Sequence, residues 1–175
     1  MSHLPPHMQR RTFLTLGIAS AVVLAVAGGA VALMQPGLVN GKLGPSARLV
    51  LNRVAQGLLL GTLPTEANAR NKTLDGLLDR ADALIAMLPN HAVAELSQLL
   101  SLMAGAAGRR WLVGLSTPWE DAKPEETFAA LQSMRDSGLA LRIQAMQGLH
   151  DIVCVPYFCG EESWTFMGYP GPRAV

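Results

Sequence analysis

His150, Asp151, Cys154 and Cys159 are the side chains of this chain best suited to chemistry. A histidine and a thiol four residues apart on a helix can turn nitrogen and sulfur toward one ion, and a zinc or copper site needs three or four such ligands. The same residues allow two other readings. In an oxidising compartment Cys154 and Cys159 can close a disulfide across Pro156, provided that a helix does not hold their Cβ atoms apart. Otherwise the thiol is a small core residue, and His150 is a helix-end histidine, a residue type favoured at the negative end of the dipole. The carboxylate pairs Glu120-Asp121, Glu125-Glu126 and Glu161-Glu162 have the residue type for acid–base work. They fall at expected helix starts or in a loop, where acidic side chains favour the helix dipole and water. Arg109-Arg110 and Arg142 suit an anion or a partner's carboxylates, although such arginines commonly form a solvated face.

No complete catalytic motif accompanies these groups. The chain has no G-x-G-x-x-G to seat a dinucleotide and no C-x-x-C-H to attach a haem. Ser116 and Ser163 lack a nucleophile elbow, and His91 and His150 are the only histidines past the N-terminal segment. Catalytic residues, a metal and a cofactor are therefore not assigned to this chain. The formal charge of +1 over 175 residues leaves no clustered basic face for a nucleic-acid partner.

Helices must position whatever site exists, because past residue 45 Leu, Ala and Met far outnumber β-branched and aromatic residues and the apolar positions recur at three and four. The expected fold is all-α: a domain over residues 46–175 made of a bundle of about five helices that ends in an irregular aromatic tail. A first helix is expected from a Ser46 cap through Leu49, Val54 and Leu58 toward Gly61. A second runs from Thr73 to Leu88, with Leu74, Leu77, Leu78, Ala81, Leu84, Ile85 and Leu88 as its apolar stripe. Asn90 caps a third, carrying Val93, Leu96, Leu99, Leu100 and Met103, and this pair reads as an antiparallel hairpin. Thr117-Pro118-Trp119-Glu120 has the spacing of a capping box and reads as a short turn before a fourth helix, Pro124 to Arg135. A fifth, Leu139 to Val155, buries Ile143, Met146, Leu149 and Val153 and stops at Pro156. The tail gathers Tyr157, Phe158, Trp164, Phe166 and Tyr169 among glycines and prolines, either to plug the end of the bundle or to meet a partner.

The N-terminus supplies an address. Arg10-Arg11, one intervening residue and Phe13-Leu14 open an uncharged run to Leu33, which is the pattern of a twin-arginine signal for export of folded proteins across the bacterial inner membrane. The 21 residues from Phe13 to Leu33 would span about 32 Å as a helix, enough to cross a hydrocarbon core of about 30 Å. Ala25-Val26-Ala27 and Ala30-Val31-Ala32 equally offer a signal peptidase its small residues, so both a retained anchor and a cleaved signal stay open. Either way residues 1–35 are signal or anchor, 36–45 a linker, and the remainder lies on the periplasmic side.

Trp111 to Leu115, Trp119, Met134-Arg135-Asp136-Ser137, Arg142, Tyr157-Phe158, Ser163-Trp164 and Gly168-Tyr169-Pro170-Gly171-Pro172 together resemble the gluconate 2-dehydrogenase subunit 3 family. The resemblance covers about residues 45 to 172 and is most specific at the closing aromatic segment; Cys154, Cys159 and Met134 depart from it. It implies a small exported subunit that accompanies a large flavoprotein dehydrogenase of the glucose-methanol-choline type, often with a cytochrome c subunit. FAD then belongs to the partner, and this chain is a non-catalytic escort that brings the folded flavoprotein to the twin-arginine translocase. Arg142, Tyr157, Phe158, Trp164 and Tyr169 are the candidate partner-facing residues. The competing readings are an independent periplasmic enzyme or metal-binding protein built on His150, Cys154 and Cys159, and a membrane-anchored adaptor.

Overall fold

A computed structural model describes residues 36–171; Arg10, Arg11, Phe13, Leu14 and the whole uncharged run lie outside the described residues. The described part is mostly helical, with one two-stranded sheet. Among these residues no helix is long and apolar enough to cross a membrane.

The stretch read as linker begins with a hairpin. Strand β1 (Leu38–Val39) pairs antiparallel with β2 (Lys42–Leu43), Leu38 opposite Leu43. Asn40 and Gly41 make the connection with φ of 52° and 74°, the double left-handed turn that an Asn-Gly pair adopts most readily. Leu38 and Leu43 face the core, so the hairpin closes one side of the bundle.

Helix α1 (Pro45–Leu58) runs through the middle of the bundle and touches all the other long helices. Gly44, rather than Ser46, is its N-cap residue, with proline in the first helical position where a missing N–H costs nothing. Its buried face is Ala47, Val50, Leu51, Val54, Ala55 and Gly57. Gly57 lets α4 (Pro124–Arg135) approach, because a Cβ there would stand 2.9 Å from Thr127 Cγ2 and 3.0 Å from the Phe128 amide nitrogen.

Helix α2 (Ala67–Ile85) starts six residues before the expected Thr73 and stops before Leu88. Glu66 sets the start by accepting hydrogen bonds from the amides of Asn68 and Ala69. The first turns, being polar and exposed, carry no apolar period to betray them. Leu74, Leu77, Leu78, Ala81 and Ile85 are buried as the stripe requires.

Helix α3 (Asn90–Ala104) has Pro89 as its N-cap residue, so Asn90 is the first helical residue and caps nothing. Leu100 and Met103 are buried, with Val93, Leu96 and Leu99 packed partly against the core. The expected α2–α3 hairpin does not form as an extended contact: α3 packs on α1, and α2 packs on α5 (Ala140–Phe158). The short connection sets their order in sequence, while the larger apolar faces lie elsewhere.

After α3 the chain makes a short helical segment, Ala106–Gly108, and a π-helical turn, Arg109–Val113, ended by left-handed Gly114. The following loop drives Trp119 into the core, where its indole N–H donates to the Met103 carbonyl at 2.7 Å. Arg53 of α1 holds this loop through the carbonyls of Trp119 and Glu120. The capping box expected at Thr117–Glu120 is not made. Thr117 Oγ1 instead donates to Glu126 in the first turn of α4.

Candidate functional site

Helix α5 carries most of the residues singled out by sequence, and it continues through Pro156 to Phe158 instead of stopping there. Proline removes one N–H donor and tends to break a helix interior. Here it stands in the last turn, where its own carbonyl is taken by Arg80 Nε of α2 at 2.8 Å. Met146, Leu149 and Val153 are buried as expected, whereas Ile143 is 41% exposed and belongs to the outer face.

That continuity decides the cysteines. Along a helix, residues five apart are separated by about 7.5 Å of rise and point about 140° apart, beyond the reach of a disulfide. Cys154 and Cys159 are both free in this structure, so the bridge read as possible from sequence is not formed here. Cys154 is half-buried, and burial followed by the nearby Asp151 charge pushes its thiol above the ordinary range. His150 is exposed, with Nδ1 3.2 Å from Asp151 Oδ1. Among the described residues no three His, Cys, Asp or Glu side chains come together to hold a metal ion.

The arginines do not form the solvated face expected of them, apart from Arg110, which is exposed. Arg142 Nε donates to the Leu112 carbonyl at 2.9 Å, and its Nη2 to Val113 O and Ser133 Oγ at 3.3 and 3.2 Å. Its guanidinium thus closes the carbonyl end of the π-turn, the negative end where a cation is favoured. Arg109 turns inward and is buried.

The aromatic residues divide between two tasks. Tyr157 is buried, its hydroxyl donating to the Thr62 carbonyl at 3.1 Å and its ring meeting Phe158 edge-on at 5.1 Å. Beyond α5, a 3-10 turn, Glu161–Ser163, leads into the short helix Trp164–Met167. Buried Ser163 donates to the carbonyls of Gly160 and Phe158. The Tyr169 amide returns to the Trp164 carbonyl at 2.9 Å, and the Trp164 and Tyr169 rings meet edge-on at 5.4 Å. Left-handed Gly171 lies so close to Trp164 that a Cβ would stand 3.1 Å from the indole. Arg80 fastens this folded tail to α2 through the Pro156 carbonyl and the Glu162 carboxylate.

The result is a segment anchored at its base by Tyr157, Ser163 and Arg80, with Phe158, Phe166, Met167 and Tyr169 open to solvent; Phe166 is 59% exposed. Sequence reading missed Arg80, because a charged residue off the leucine stripe of α2 looks like any solvated one. It also left Phe166 and Met167 out of the partner-facing candidates, since helical spacing in so short a segment gives no orientation. No protein-family model, no curated protein and no solved structure matches the chain.

Proposed function

We propose that this chain is an exported, non-catalytic small subunit that escorts a flavin-dependent dehydrogenase to the periplasmic side of the bacterial inner membrane and remains its structural partner. The observation that carries the proposal is Arg10-Arg11 followed by Phe13-Leu14 and an uncharged run, an address for proteins that cross folded. A flavoprotein must close around its cofactor before export, so a small partner bearing the signal serves both chains. The exposed Phe158, Phe166, Met167 and Tyr169 suit this role, since aromatic and methionine side chains are enriched where proteins meet.

The reaction and the FAD belong to the large subunit, with electrons passing to a cytochrome c subunit where one is present. Retention by the N-terminal uncharged run and release by cleavage are both compatible with this division of labour.

The test is to isolate the full chain from its native membranes under conditions that preserve complexes. A flavoprotein lacking a signal of its own should co-purify, and changing Arg10 and Arg11 together to Lys should leave both proteins in the cytoplasm. Isolation without any flavoprotein, or unchanged delivery of both proteins by the double-lysine variant, would refute the escort role.

A further inference from the structure

Arg109 is 8% exposed, yet no ion pair among the described residues includes it. Its Nη2 reaches the Ser116 carbonyl only at 3.5 Å, the long limit of a hydrogen bond, and its Nε has no partner. A guanidinium stays protonated, so a buried one without a counter-charge is costly unless an anion joins it. Arg109 stands at the head of the π-helical turn, a local distortion that proteins often keep at functional sites.

Arg109 lines a recess of about 130 Å³ between the start of α1, the end of α3 and the Trp119 loop. Leu49, Val50 and Ala104 supply apolar wall, with Trp119 beside them, while half-buried Ser46 and exposed Glu120 bring polar groups to the opening. The volume corresponds to about four water molecules at about 30 Å³ each. Glu120 lines the same space without coming within ion-pair distance of Arg109.

We infer that this recess binds a small organic monocarboxylate, its carboxylate paired with Arg109 and its short carbon chain lying on Leu49, Val50 and Ala104. The planar head matches the fork of a guanidinium. One guanidinium offers one positive charge to a single negative one, and Glu120, lining the same recess, repels the more highly charged phosphate more strongly than a monocarboxylate. Chloride, a single atom, cannot engage two N–H donors of the fork as a carboxylate does, and the small apolar part of the wall is a further contact for a carbon chain only. This inference does not depend on the escort role.

Calorimetric titration of the full chain in detergent, with sodium acetate, sodium propionate, inorganic phosphate and sodium chloride at matched ionic strength, tests it. The expected result is saturable one-to-one binding of the carboxylates, with propionate about fourfold tighter than acetate for its added methylene, phosphate weaker than both, and chloride without effect. Arg109→Gln should abolish binding. Ser46→Leu narrows the opening and keeps the cation, so it should abolish binding while leaving the helical circular dichroism intact, even if Arg109→Gln fails to fold. Absence of saturable carboxylate binding, an equal response to chloride, tighter binding of phosphate, or undiminished binding by a folded Ser46→Leu protein would overturn the assignment.

Discussion

Thr127 shows how a buried side chain can oppose the packing it takes part in. Its methyl fills the contact that Gly57 leaves open, but its hydroxyl is fully buried and has no hydrogen-bond partner among the described residues. An orphaned buried hydroxyl costs about 1–3 kcal/mol, whereas the packing term changes little when the shape is kept. Thr127→Val should therefore raise unfolding stability by about 1 kcal/mol, read as an upward shift in a reversible thermal melt; a fall of similar size would mean that the hydroxyl has a partner. The two cysteines differ in the same local terms. Cys154 is half-buried and its raised pKa keeps it a thiol, while Cys159 is exposed, and the thiolate is the reactive form. Timed iodoacetamide labelling with mass mapping should modify Cys159 first and Cys154 slowly, with labelling of Cys154 accelerating as pH rises. Equal rates, or an intact Cys154–Cys159 bridge in the purified protein, would contradict the continuous helix. None of this was legible in the sequence, where spacing five across a proline fits a bridge and a helix equally, and where Arg109 and Arg110 are indistinguishable until the π-turn sends one in and the other out.

The helices were legible because each buries a stripe long enough to show its period, as Leu74 to Ile85 does on α2. Their starts and partners were not, since these depend on groups that periodicity ignores. Asp82 is the clearest case. One oxygen accepts the Leu43 amide of β2 at 2.7 Å and the other an Arg48 Nη1 donor of α1 at 3.2 Å, so a single α2 carboxylate ties the hairpin and the central helix together. Its side chain is 15% exposed, against 73% for Asp79, which pairs with the same arginine. Burial decides between them: hydrogen bonds to a largely buried charge contribute about 1.5–3 kcal/mol, while an exposed ion pair contributes about 0–1 kcal/mol. Asp82→Ala should thus cost about 2 kcal/mol and Asp79→Ala under about 0.5 kcal/mol, both measured by urea unfolding; equal losses would remove Asp82 from its place as the joint. Glu66 gives α2 a pH dependence of known sign. The amide of Asn68, then that of Ala69, holds its carboxyl below the ordinary carboxylate range. A depressed folded-state value means that the cap stabilises the helix fully above the unfolded pKa and fades as acidification passes the folded one. The melting difference between wild type and Glu66→Gln should be present near neutral pH and close only as acidification passes below the ordinary carboxylate range. A difference that persists or grows in acid would assign the cap to something other than the charge.

A bundle with one central helix and a tail fastened at its base can lose a surface without losing its fold, and this separates docking from stability. Phe166, Met167 and Tyr169 lie in the last part of the described tail, each about half exposed, so replacing them removes little that the core relies on. Arg80 is different, because it joins α2 to both the Pro156 carbonyl and the Glu162 carboxylate and lies against the turn at Gly160. If the tail meets the flavoprotein subunit, the triple change Phe166→Ser, Met167→Ser, Tyr169→Ser should weaken the complex by about tenfold or more and leave the melting temperature of the chain nearly unchanged. Arg80→Ala should weaken the complex and also lower the melting temperature, since it frees the segment that displays those side chains. Surface plasmon resonance against the co-purified flavoprotein, run beside thermal melts of the same preparations, reads both quantities. Full affinity in the triple variant would move the interface off the tail, and would leave these exposed rings as surface that the fold tolerates. Lost affinity in both variants, with lost stability in Arg80→Ala alone, is the pattern of a docking surface presented by a clamp.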